Sequence, residues 1–462
     1  MINSPLTGPG AIVSLVILCI LFTFRVVRFS INQVGRIVYS PAIPRPESRT
    51  THKDCSVILP IVNPNDSKLE DTVFSILTNL PAHLYIVTVG VESRDQVERR
   101  LGYLRPLYDT TQINIGAVNK ANKRRQIYHA ISTINTSVTI IADQGVYWPK
   151  SFLGSALPPF EDSEVAAVTV PQMARKPYPK RLKGSFWACL VSCYHALLAD
   201  ENRAVNALDS SALLRSSTLL FRTYHCATEA FRTEFESEKC FSGRSGVLKA
   251  DEHGFLNRYF LQSGQKIAFQ DTPQATIEVS SGTIVGFVAD YIRTTRSTWR
   301  LSISMLRHKT AGLFLWACYA MWLSSLVSFT LFTDAIIILL MYYSEIFEET
   351  LIFWTAVGVF LFILQALVTF QLVRRVRCSG GSFSYVTILV CTILCLPAQY
   401  ALELLKIVAL LTFWRFETEE RTQTDLEHSA ENHEPSWIWG FEEMRDYSTW
   451  DQPPAYEPFS VE

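Results

Sequence analysis

Asp143 is the residue whose surroundings most clearly suggest chemistry. It directly follows the apolar segment 138–142, and Gln144, Gly145 and a Val-Tyr-Trp-Pro sequence at 146–149 come after it. Mg²⁺ and Mn²⁺ prefer oxygen ligands and often take one or two carboxylates, completed by phosphate oxygens and water. Asp143 can therefore serve as a ligand of such an ion, with Gln144 offering a neutral carbonyl oxygen. The alternative is that its carboxylate caps the turn that follows.

Two further groups of charged residues lie near the starts of predicted helices. Lys123, Arg124 and Arg125 stand near the start of one helix, where backbone N–H groups and cationic side chains both favour a diphosphate. A charge run of this kind is also common on a solvated helix face. Asp251 and Glu252 open a second helix, a place that the helix dipole favours for acids without any further role.

A third group lies beside an apolar stretch further along the chain. Arg293, Arg296 and Trp299 follow one another at short spacing, and the indole of Trp299 can stack on a sugar ring. Equally, an Arg/Trp-rich helix next to a membrane span can be an interfacial anchor. The sequence leaves these two interpretations open.

The elements that must position these residues alternate between strand and helix. Predicted strands cover 56–62, 84–89, 112–115 and 138–142, and predicted helices cover 66–79, 94–104, 123–133, 182–198 and 251–263. Such alternation predicts a parallel sheet with crossover helices. Ligands of these sheets bind at the carboxyl ends of the strands, which is where Asn63, Gly90 and Asp143 fall.

Hydropathy divides the chain and predicts an integral, multi-pass membrane protein. Residues 11–29 are mostly apolar, and the region 310–414 contains the apolar runs 312–332 and 351–373, which reach the roughly 20 residues that a spanning helix needs. Basic residues follow the first span, which predicts a cytosolic location for the next domain. The short apolar piece 335–343 is expected to be re-entrant, interfacial or part of a loop.

Charge and cysteine content exclude some classes of protein. The formal net charge is −1, which argues against a nucleic-acid-binding protein because those usually carry a basic surface. Ten cysteines occur without a CxxC pair, so neither a zinc site nor a disulfide framework is indicated. Reduced thiols fit a cytosolic domain.

Two segments predict little regular structure. Residues 30–53 are basic and proline-rich, which predicts an irregular connector, and residues 415–462 are acidic without periodicity, which predicts a disordered tail. The tail contains the PPxY sequence Pro453-Pro454-Ala455-Tyr456. Such motifs are ligands of WW domains, so we expect this one to recruit a WW-domain ubiquitin ligase.

Taken in order, the segments resemble membrane-bound family 2 glycosyltransferases, and in particular fungal polysaccharide-synthase-like members related to hyaluronan and cellulose synthases. The likeness runs from about residue 55 to residue 310. The residues that carry it are Val57-Ile58-Leu59-Pro60, Lys120-Ala121-Asn122-Lys123-Arg124-Arg125-Gln126, Ala142-Asp143 with Val146-Tyr147-Trp148-Pro149, Ser185-Phe186-Trp187, Ala250-Asp251-Glu252 with Phe255-Leu256-Asn257-Arg258, and 293–300.

The resemblance implies a fold and a set of roles. It implies an α/β GT-A domain with a Rossmann-like mixed sheet, flanked by transmembrane helices. Pro60 would lie under the uridine of a UDP-sugar, Lys123 and Arg124 would bind its diphosphate, and Asp143 would hold Mg²⁺ or Mn²⁺. Glu252, or Asp251, would be the general base that deprotonates the acceptor.

The same resemblance implies that Arg293, Arg296 and Trp299 hold the acceptor and diphosphate. The sequence departs from the family pattern at several of these places. Gln144 and Gly145 stand where further aspartates are usual, Glu252 replaces an aspartate, and the QxxRW motif keeps only Arg293. A weakened metal site is therefore expected.

These observations lead to one hypothesis with two alternatives. The first is an inverting glycosyltransferase that moves a sugar from a UDP-sugar to a growing cell-wall or surface polysaccharide, in the plasma membrane or a secretory-pathway membrane. The alternatives are a catalytically weakened paralogue with a regulatory role, and a lipid-phosphate glycosyltransferase. The expected organisation is a helix at 1–29, a connector at 30–53, the catalytic domain at 54–309, membrane helices at 310–414 and the tail at 415–462.

Overall fold

The structure, a computed structural model, describes residues 9–45, 48–175, 182–238, 252–306, 312–319, 330–344, 349–378 and 385–414. Its strands are β1 (Cys55–Pro60), β2 (His83–Val89), β3 (Gln112–Val118), β4 (Val138–Ala142), β5 (Val146–Tyr147), β6 (Val165–Thr169), β7 (Gln172–Ala174), β8 (Thr218–Arg222), β9 (Lys266–Phe269) and β10 (Ile277–Val279).

Its helices are α1 (Pro9–Val38), α2 (Leu69–Leu77), α3 (Val91–Leu101), α4 (Lys123–Ile131), α5 (Phe152–Ala156), α6 (Leu182–Asp209), α7 (Thr223–Cys226), α8 (Glu229–Ser237), α9 (Glu252–Gln262), α10 (Ile284–Leu306), α11 (Leu315–Tyr319), α12 (Thr330–Tyr343), α13 (Thr350–Cys378) and α14 (Tyr385–Leu410). Short 3₁₀ helices cover His52–Asp54, Gly102–Leu107 and Pro158–Glu161.

A seven-stranded mixed sheet forms the centre of the α/β domain, in the order β3-β2-β1-β4-β8-β6-β9. The first four strands along the chain run parallel, and helices α2, α3 and α4 connect them. Strand β8 is antiparallel to both of its neighbours, and β9 is parallel to β6. The predicted Rossmann-like mixed sheet is therefore confirmed, and the fold is GT-A-like.

Apolar side chains of the strands alternate between two cores, one on each face of the sheet. In β1, Ile58 belongs to one core, whereas Val57 and Leu59 belong to the other. The same alternation occurs in β4, where Ile141 and Ile140 point to opposite faces, as the two-residue period of a strand requires. Burial on both faces explains why the strands read as continuous apolar runs.

A smaller sheet lies beyond the end of β4. It has the order β5-β10-β7, with β10 antiparallel to β5 and parallel to β7. Strand β5 begins three residues after Asp143, so this sheet holds the far side of the turn that carries the aspartate. Sequence periodicity did not predict it because its strands have only two or three residues.

The first helix is longer than predicted. Helix α1 continues to Val38, so the first nine residues of the expected connector 30–53 are helical. The segment after α1 is hydrogen-bonded to the α/β domain. The Tyr39 hydroxyl donates to the Phe269 carbonyl over 2.6 Å and accepts from the Asp271 N–H over 3.0 Å. The Gln270 amide bonds both the N–H and the C=O of Ala42, at 3.0 and 2.9 Å.

Three described helices are long and apolar enough to cross a membrane, over Gly10–Val38, Thr350–Leu367 and Leu389–Leu410. Helix α12, which covers the predicted short apolar piece, has 14 residues. At 1.5 Å per residue it is shorter than the roughly 30 Å hydrocarbon layer. Much of the predicted span 312–332 lies outside the described residues. Pro397 lies within α14, which continues as one helix on both sides of it.

Candidate active site

The turn after β4 presents Asp143 at the carboxyl end of the parallel strands. The Asp143 N–H donates to the Ser217 carbonyl over 3.0 Å, and the Gly145 N–H donates to the Thr72 hydroxyl over 3.1 Å. Gly145 has a φ of +83°, a conformation that glycine adopts without a steric penalty. This turn directs the Asp143 carboxylate away from the sheet.

Lys123 joins two carboxylates that are far apart in sequence. Its ammonium group donates to Asp143 Oδ1 over 2.7 Å and also to Glu252 Oε1. On the other side of Glu252, His253 Nδ1 lies 3.3 Å from the same Oε1 atom. The second ring nitrogen, Nε2, lies 2.9 Å from the Ser216 carbonyl. Helices α4 and α9 and the end of β4 thus bring four charged or titratable side chains to one point.

The sequence around Asn122 explains why Lys123 is aimed at this point. The Asn122 side chain caps α4 by accepting from the N–H groups of Arg124 and Arg125, as asparagine commonly does at a helix start. One turn further on, Gln126 Nε2 donates to the carbonyls of Ile61 and Val87. These two anchors fix the first turn of α4 against the ends of β1 and β2.

Electrostatics keep Glu252 ionised although its side chain is buried. Burial by itself opposes ionisation, but the ammonium of Lys123 and the imidazole of His253 outweigh it and hold the pKa of Glu252 well below 4.5. Burial likewise opposes the charge on Lys123, but Asp143 and Glu252 raise the Lys123 pKa above its ordinary value. At neutral pH the pair is therefore a carboxylate and an ammonium.

The donor atoms of this cluster fit a divalent cation. One ligand atom each from Asp143, Glu252 and His253 lies within 4.8 Å of the others. The carboxylate oxygens of Asp143 and Glu252 suit Mg²⁺ and Mn²⁺, whereas the imidazole of His253 is a ligand type more typical of zinc and iron. Asp143 is the most exposed of the three and is the ligand best placed to share a metal with phosphate oxygens.

A cavity of about 1000 Å³ opens beside the cluster. Its walls include the predicted residues Pro60, Lys123, Asp143, Glu252 and Arg293. From the strand ends it continues between α1, α6, α10 and α14. The structure therefore brings five predicted site residues, from five separate motifs, to one space.

Arg124 does not take part in this space, contrary to the prediction that it binds the diphosphate. Its side chain is fully buried and does not line the cavity. The guanidinium donates to the Phe235 carbonyl over 2.9 Å and forms an ion pair with Glu238 at 2.7 Å. Its place in the helix turns it into the domain core, one position away from Lys123. Arg124 is a structural residue.

Arg296 and Trp299 are also placed elsewhere. The Arg296 side chain donates to the Thr412 hydroxyl over 3.0 Å, at the end of α14, and neither residue lines the cavity. Arg293, one helical turn earlier, does line it and pairs with Asp290 at 3.3 Å. Of the three residues predicted to hold the acceptor, only Arg293 is in position to do so.

Two predicted features lie outside the described residues. Asp251, the alternative base, directly precedes the first described residue of α9, and the tail with Pro453, Pro454 and Tyr456 follows the last described residue of the chain. Their roles remain predictions.

Several cavity residues were not identified from the sequence. The sequence favours a surface residue over a second base for His253, but its side chain contacts Glu252 as described. Gln172 accepts from the Ser217 N–H over 3.0 Å and bonds His195 Nδ1 over 2.9 Å. Burial lowers the pKa of His195 to about 4, so its ring is neutral and suits a neutral ligand. No motif marks Gln172 or His195, because the chain brings them together from β7 and α6.

Comparison with known proteins identifies the family. The model described as "Glycosyltransferase like family 2" matches residues 54–301, which is just over half of the chain. The chain belongs to this family. The match contains β1, Asp143 and the Lys123–Glu252 pair, so the cluster described above lies inside the family domain.

Fungal relatives agree with this assignment. A type 2 glycosyltransferase of Zymoseptoria tritici is 28% identical over 62% of this chain and 58% of its own length. One of Pyricularia oryzae is 26% identical over 69% of this chain and 65% of its own length. The chain thus matches about three fifths of the length of these relatives.

Among solved structures, the mannosyltransferase PcManGT of Pyrobaculum calidifontis, in complex with GDP-Man and Mn²⁺, aligns at 11% identity with a TM-score of 0.47, covering 87% of this chain and 99% of that one.

Proposed function

We propose that this family 2 glycosyltransferase moves a hexose from a UDP-sugar to a hydroxyl group of a growing cell-wall or surface polysaccharide, with inversion at the transferred carbon. The observation that carries the proposal is the Lys123 ammonium, hydrogen-bonded to both Asp143 and Glu252 in the wall of the cavity. The cluster supplies a cation for a leaving diphosphate and a carboxylate for an attacking hydroxyl within one ion-paired unit.

Each member of the cluster has a distinct proposed role. Lys123, at the start of α4, faces the diphosphate, and the positive end of the helix dipole at that point favours an anion. Glu252 is ionised and buried, so it is ready to take the proton of the acceptor hydroxyl. Its second neighbour, His253, contacts the same Oε1 atom as Lys123 and helps to orient the carboxylate.

A divalent cation fits the donor set, with Asp143 as its main ligand. When bound, Mg²⁺ or Mn²⁺ would neutralise charge that develops on the departing diphosphate. Because Gln144 and Gly145 replace further acids, we propose that this metal site is weak. The Gln144 amide donates to the Asn63 carbonyl over 3.2 Å, which keeps its oxygen near the turn.

The continuation of the cavity supports a long acceptor. Beyond the cluster the walls come from α1, α6, α10 and α14, and they carry neutral polar side chains such as Asn32 on α1 and Gln399 on α14. Gln172 on β7 and Asn257 on α9 add two more to the lining. Hydroxyl-rich sugars bind by hydrogen bonds to such groups. A lipid-phosphate acceptor would instead place a charge here, where cations such as Arg36 and Arg215 already pair with Asp200 and Glu201.

We also propose that the chain is embedded in a plasma or secretory-pathway membrane through the helices named above, with the catalytic domain on the cytosolic side. Exposed apolar side chains along these helices, among them Ile20, Phe362 and Ile393, support contact with lipid. A WW-domain ubiquitin ligase remains the proposed partner of the PPxY motif.

Turnover of UDP-sugars by the full chain in membranes tests the proposed reaction. Asp143→Ala and Glu252→Gln should each lower turnover, the latter by about 10²- to 10⁴-fold, since it removes the general base. The exposed acids Asp95 and Glu98 on α3 provide the matched controls Asp95→Ala and Glu98→Gln, which should leave turnover unchanged. Turnover that ignores both site variants would refute the site assignment. Binding of UDP-sugars without turnover in the unmodified chain would favour the regulatory alternative.

A further inference from the structure

Four cysteines form a cluster outside the candidate active site. Cys189 and Cys193 lie on α6, and Cys391 and Cys395 lie on α14. Both pairs have the spacing i, i+4, which places the two members on one face of a helix. Helices α6 and α14 pack against each other through this face, where Phe186 and Trp187 complete an apolar group.

The thiols contact one another across the helix interface. Cys189 interacts with Cys193 and Cys391, and Cys193 also interacts with Cys395. The Cys193 thiol donates to the Cys189 carbonyl over 2.9 Å, and the Cys391 thiol donates to the Phe186 carbonyl over 3.8 Å. The cluster therefore contains two cross-helix pairs, Cys189 with Cys391 and Cys193 with Cys395. A CxxC search of the sequence misses it because each helix uses a CxxxC spacing.

Geometry favours chemistry between two sulfurs over binding of a single metal ion. Tetrahedral zinc with Zn–S bonds of about 2.3 Å needs sulfurs about 3.8 Å apart in every pairing. Among the described residues, the group of metal-ligating side chains with all donor atoms within 4.8 Å of one another is the Asp143 cluster. No three of the four cysteines meet that condition.

Helix geometry also decides which sulfurs can join. Side chains at i and i+4 of a helix have Cβ atoms about 5–6 Å apart, whereas a disulfide needs about 3.5–4.5 Å. A bond within either helix would require the helix to distort. A bond between the helices is restricted only by how closely they pack, and their thiols are already in contact.

One of the two cross-helix pairs borders an empty space. A cavity of about 40 Å³ between α6 and α14 is lined by Cys193 and Cys395, and it is larger than the roughly 10–15 Å³ that a water molecule needs. A molecule the size of hydrogen peroxide can reach both sulfurs from it. Cys189 and Cys391 do not line this space and are fully buried.

We propose that Cys193 and Cys395 are an oxidisable pair that forms a disulfide between α6 and α14 when a peroxide reaches this space. The peroxide takes two electrons from one thiol, which becomes a sulfenic acid with release of one water molecule. The partner thiol attacks that sulfur, the S–S bond forms, and a second water molecule leaves. The net change is two thiols and one H₂O₂ to one disulfide and two H₂O, and an added dithiol reverses it.

The Cys193–Cys395 disulfide would join two helices that line the large cavity. Tyr194 and Leu197 on α6, and Gln399 and Leu402 on α14, line both the small space and the large cavity. A covalent link at Cys193 and Cys395 fixes the separation of these two walls. This consequence rests on the proposed function, whereas the disulfide itself does not.

The test uses the full chain in its native membrane. Membranes are treated with hydrogen peroxide, remaining thiols are alkylated, and the proteolysed protein is analysed by mass spectrometry with and without prior reduction. The expected result is a reducible peptide pair that joins Cys193 to Cys395. Recovery of both residues in the alkylated form, a link between Cys189 and Cys193, or zinc retained by the cysteine cluster would overturn the proposal.

Variants sharpen the assignment. Cys193→Ala and Cys395→Ala should each abolish the cross-link, while Cys226→Ala, in the core of the catalytic domain, should retain it. Because the unmodified chain already gives the decisive peptide, a poorly folding variant does not affect the result. Cross-linking should also lower UDP-sugar turnover by about fivefold or more, reversibly. A cross-link in a chain that never turns over UDP-sugars would contradict the proposed function alone.

Discussion

The two ends of the large cavity are built in different ways. At the strand end, Asp143 and Lys123 are fixed by backbone hydrogen bonds, a helix cap and the packed ends of β1 and β2. At the helix end, the walls are held by ion pairs, such as Arg36 on α1 with Asp200 on α6 at 3.9 Å and Arg203 on α6 with Asp271 after β9. The strand end contains Pro60, Lys123, Asp143 and Glu252 of the residues that the family resemblance implies, but not Arg124, and the helix end contains only Arg293.

The contrast suggests that the donor side and the acceptor side are under different constraints. A diphosphate needs charges at fixed places, and the sheet supplies that rigidity. An acceptor of neutral sugars can be held by many alternative hydrogen bonds, so residues such as Arg296 and Trp299 need not face it. Four substitutions test this division, two at each end.

The largest effect is expected from Arg124→Met at the strand end. Arg124 is fully buried and pairs with Glu238, and removing one partner of a buried pair typically costs about 3–5 kcal/mol. Thermal unfolding in detergent should show this loss. The exposed neighbour Arg125 gives the control Arg125→Met, for which we expect a change within about 0.5 kcal/mol. If Arg124→Met is as stable as the unmodified chain, the structural role that we assign to Arg124, in contrast to the site role of Lys123, is wrong.

Lys123→Met should lower UDP-sugar turnover strongly and the free energy of unfolding much less. It removes the cation that faces both carboxylates, and loss of one preorganised charge-stabilising donor typically lowers turnover by about 10²- to 10³-fold. UDP-sugar turnover per folded molecule is the measurement, and Lys53→Met at the exposed start of the domain is the control. A loss smaller than threefold would show that the donor site does not depend on this ammonium.

Gly35→Val tests the packing of the helix end. A Cβ atom at Gly35 would lie 2.8 Å from the Ala204 Cα atom, so α1 and α6 must move apart. Overpacking of this kind typically costs about 1–3 kcal/mol. Gly10, near the other end of α1, has nothing within 4 Å of such an atom, and Gly10→Val should unfold like the unmodified chain. Equal free energies of unfolding for Gly35→Val and Gly10→Val would mean that α1 and α6 are not in tight contact.

The smallest effect is expected from Arg293→Ala. Loss of one hydrogen bond to a sugar hydroxyl costs about 0.5–1.5 kcal/mol, which corresponds to about a two- to tenfold higher KM for the acceptor. Arg296→Ala is the matched control because that side chain bonds Thr412 instead. A larger effect of Arg296→Ala than of Arg293→Ala would reverse the assignment of the cavity wall.

Local pattern predicted the first half of the sheet well, since β1 to β4 and their helices depend on burial and periodicity over short stretches. Strand β4 was predicted with its observed bounds, and the sequence also predicted that Lys123, Asp143 and Glu252 act together. It could not predict which of two adjacent basic residues faces the site, because the partners of Arg124 lie 111 residues or more away.

The helix end was harder to predict for a related reason. Arg28, Asn32 and Arg36 interrupt the apolar pattern of the first segment, which suggested that the helix ends near residue 29. In the structure these residues continue one face of α1 and line the cavity. Polar residues therefore marked a functional face of the helix rather than its end. Only tertiary contacts distinguish these two cases.

The fastening of Tyr39 and Ala42 to residues Phe269–Asp271 has a consequence for synthesis of the protein. Its hydrogen bonds join positions 228 to 232 residues apart. The ribosome synthesises α1 long before it synthesises β9. The hydrogen bonds of Tyr39 and Ala42 therefore cannot form until nearly the whole α/β domain has been translated. The last strand of the seven-stranded sheet to be synthesised, β9, then fixes the orientation of the α/β domain relative to α1.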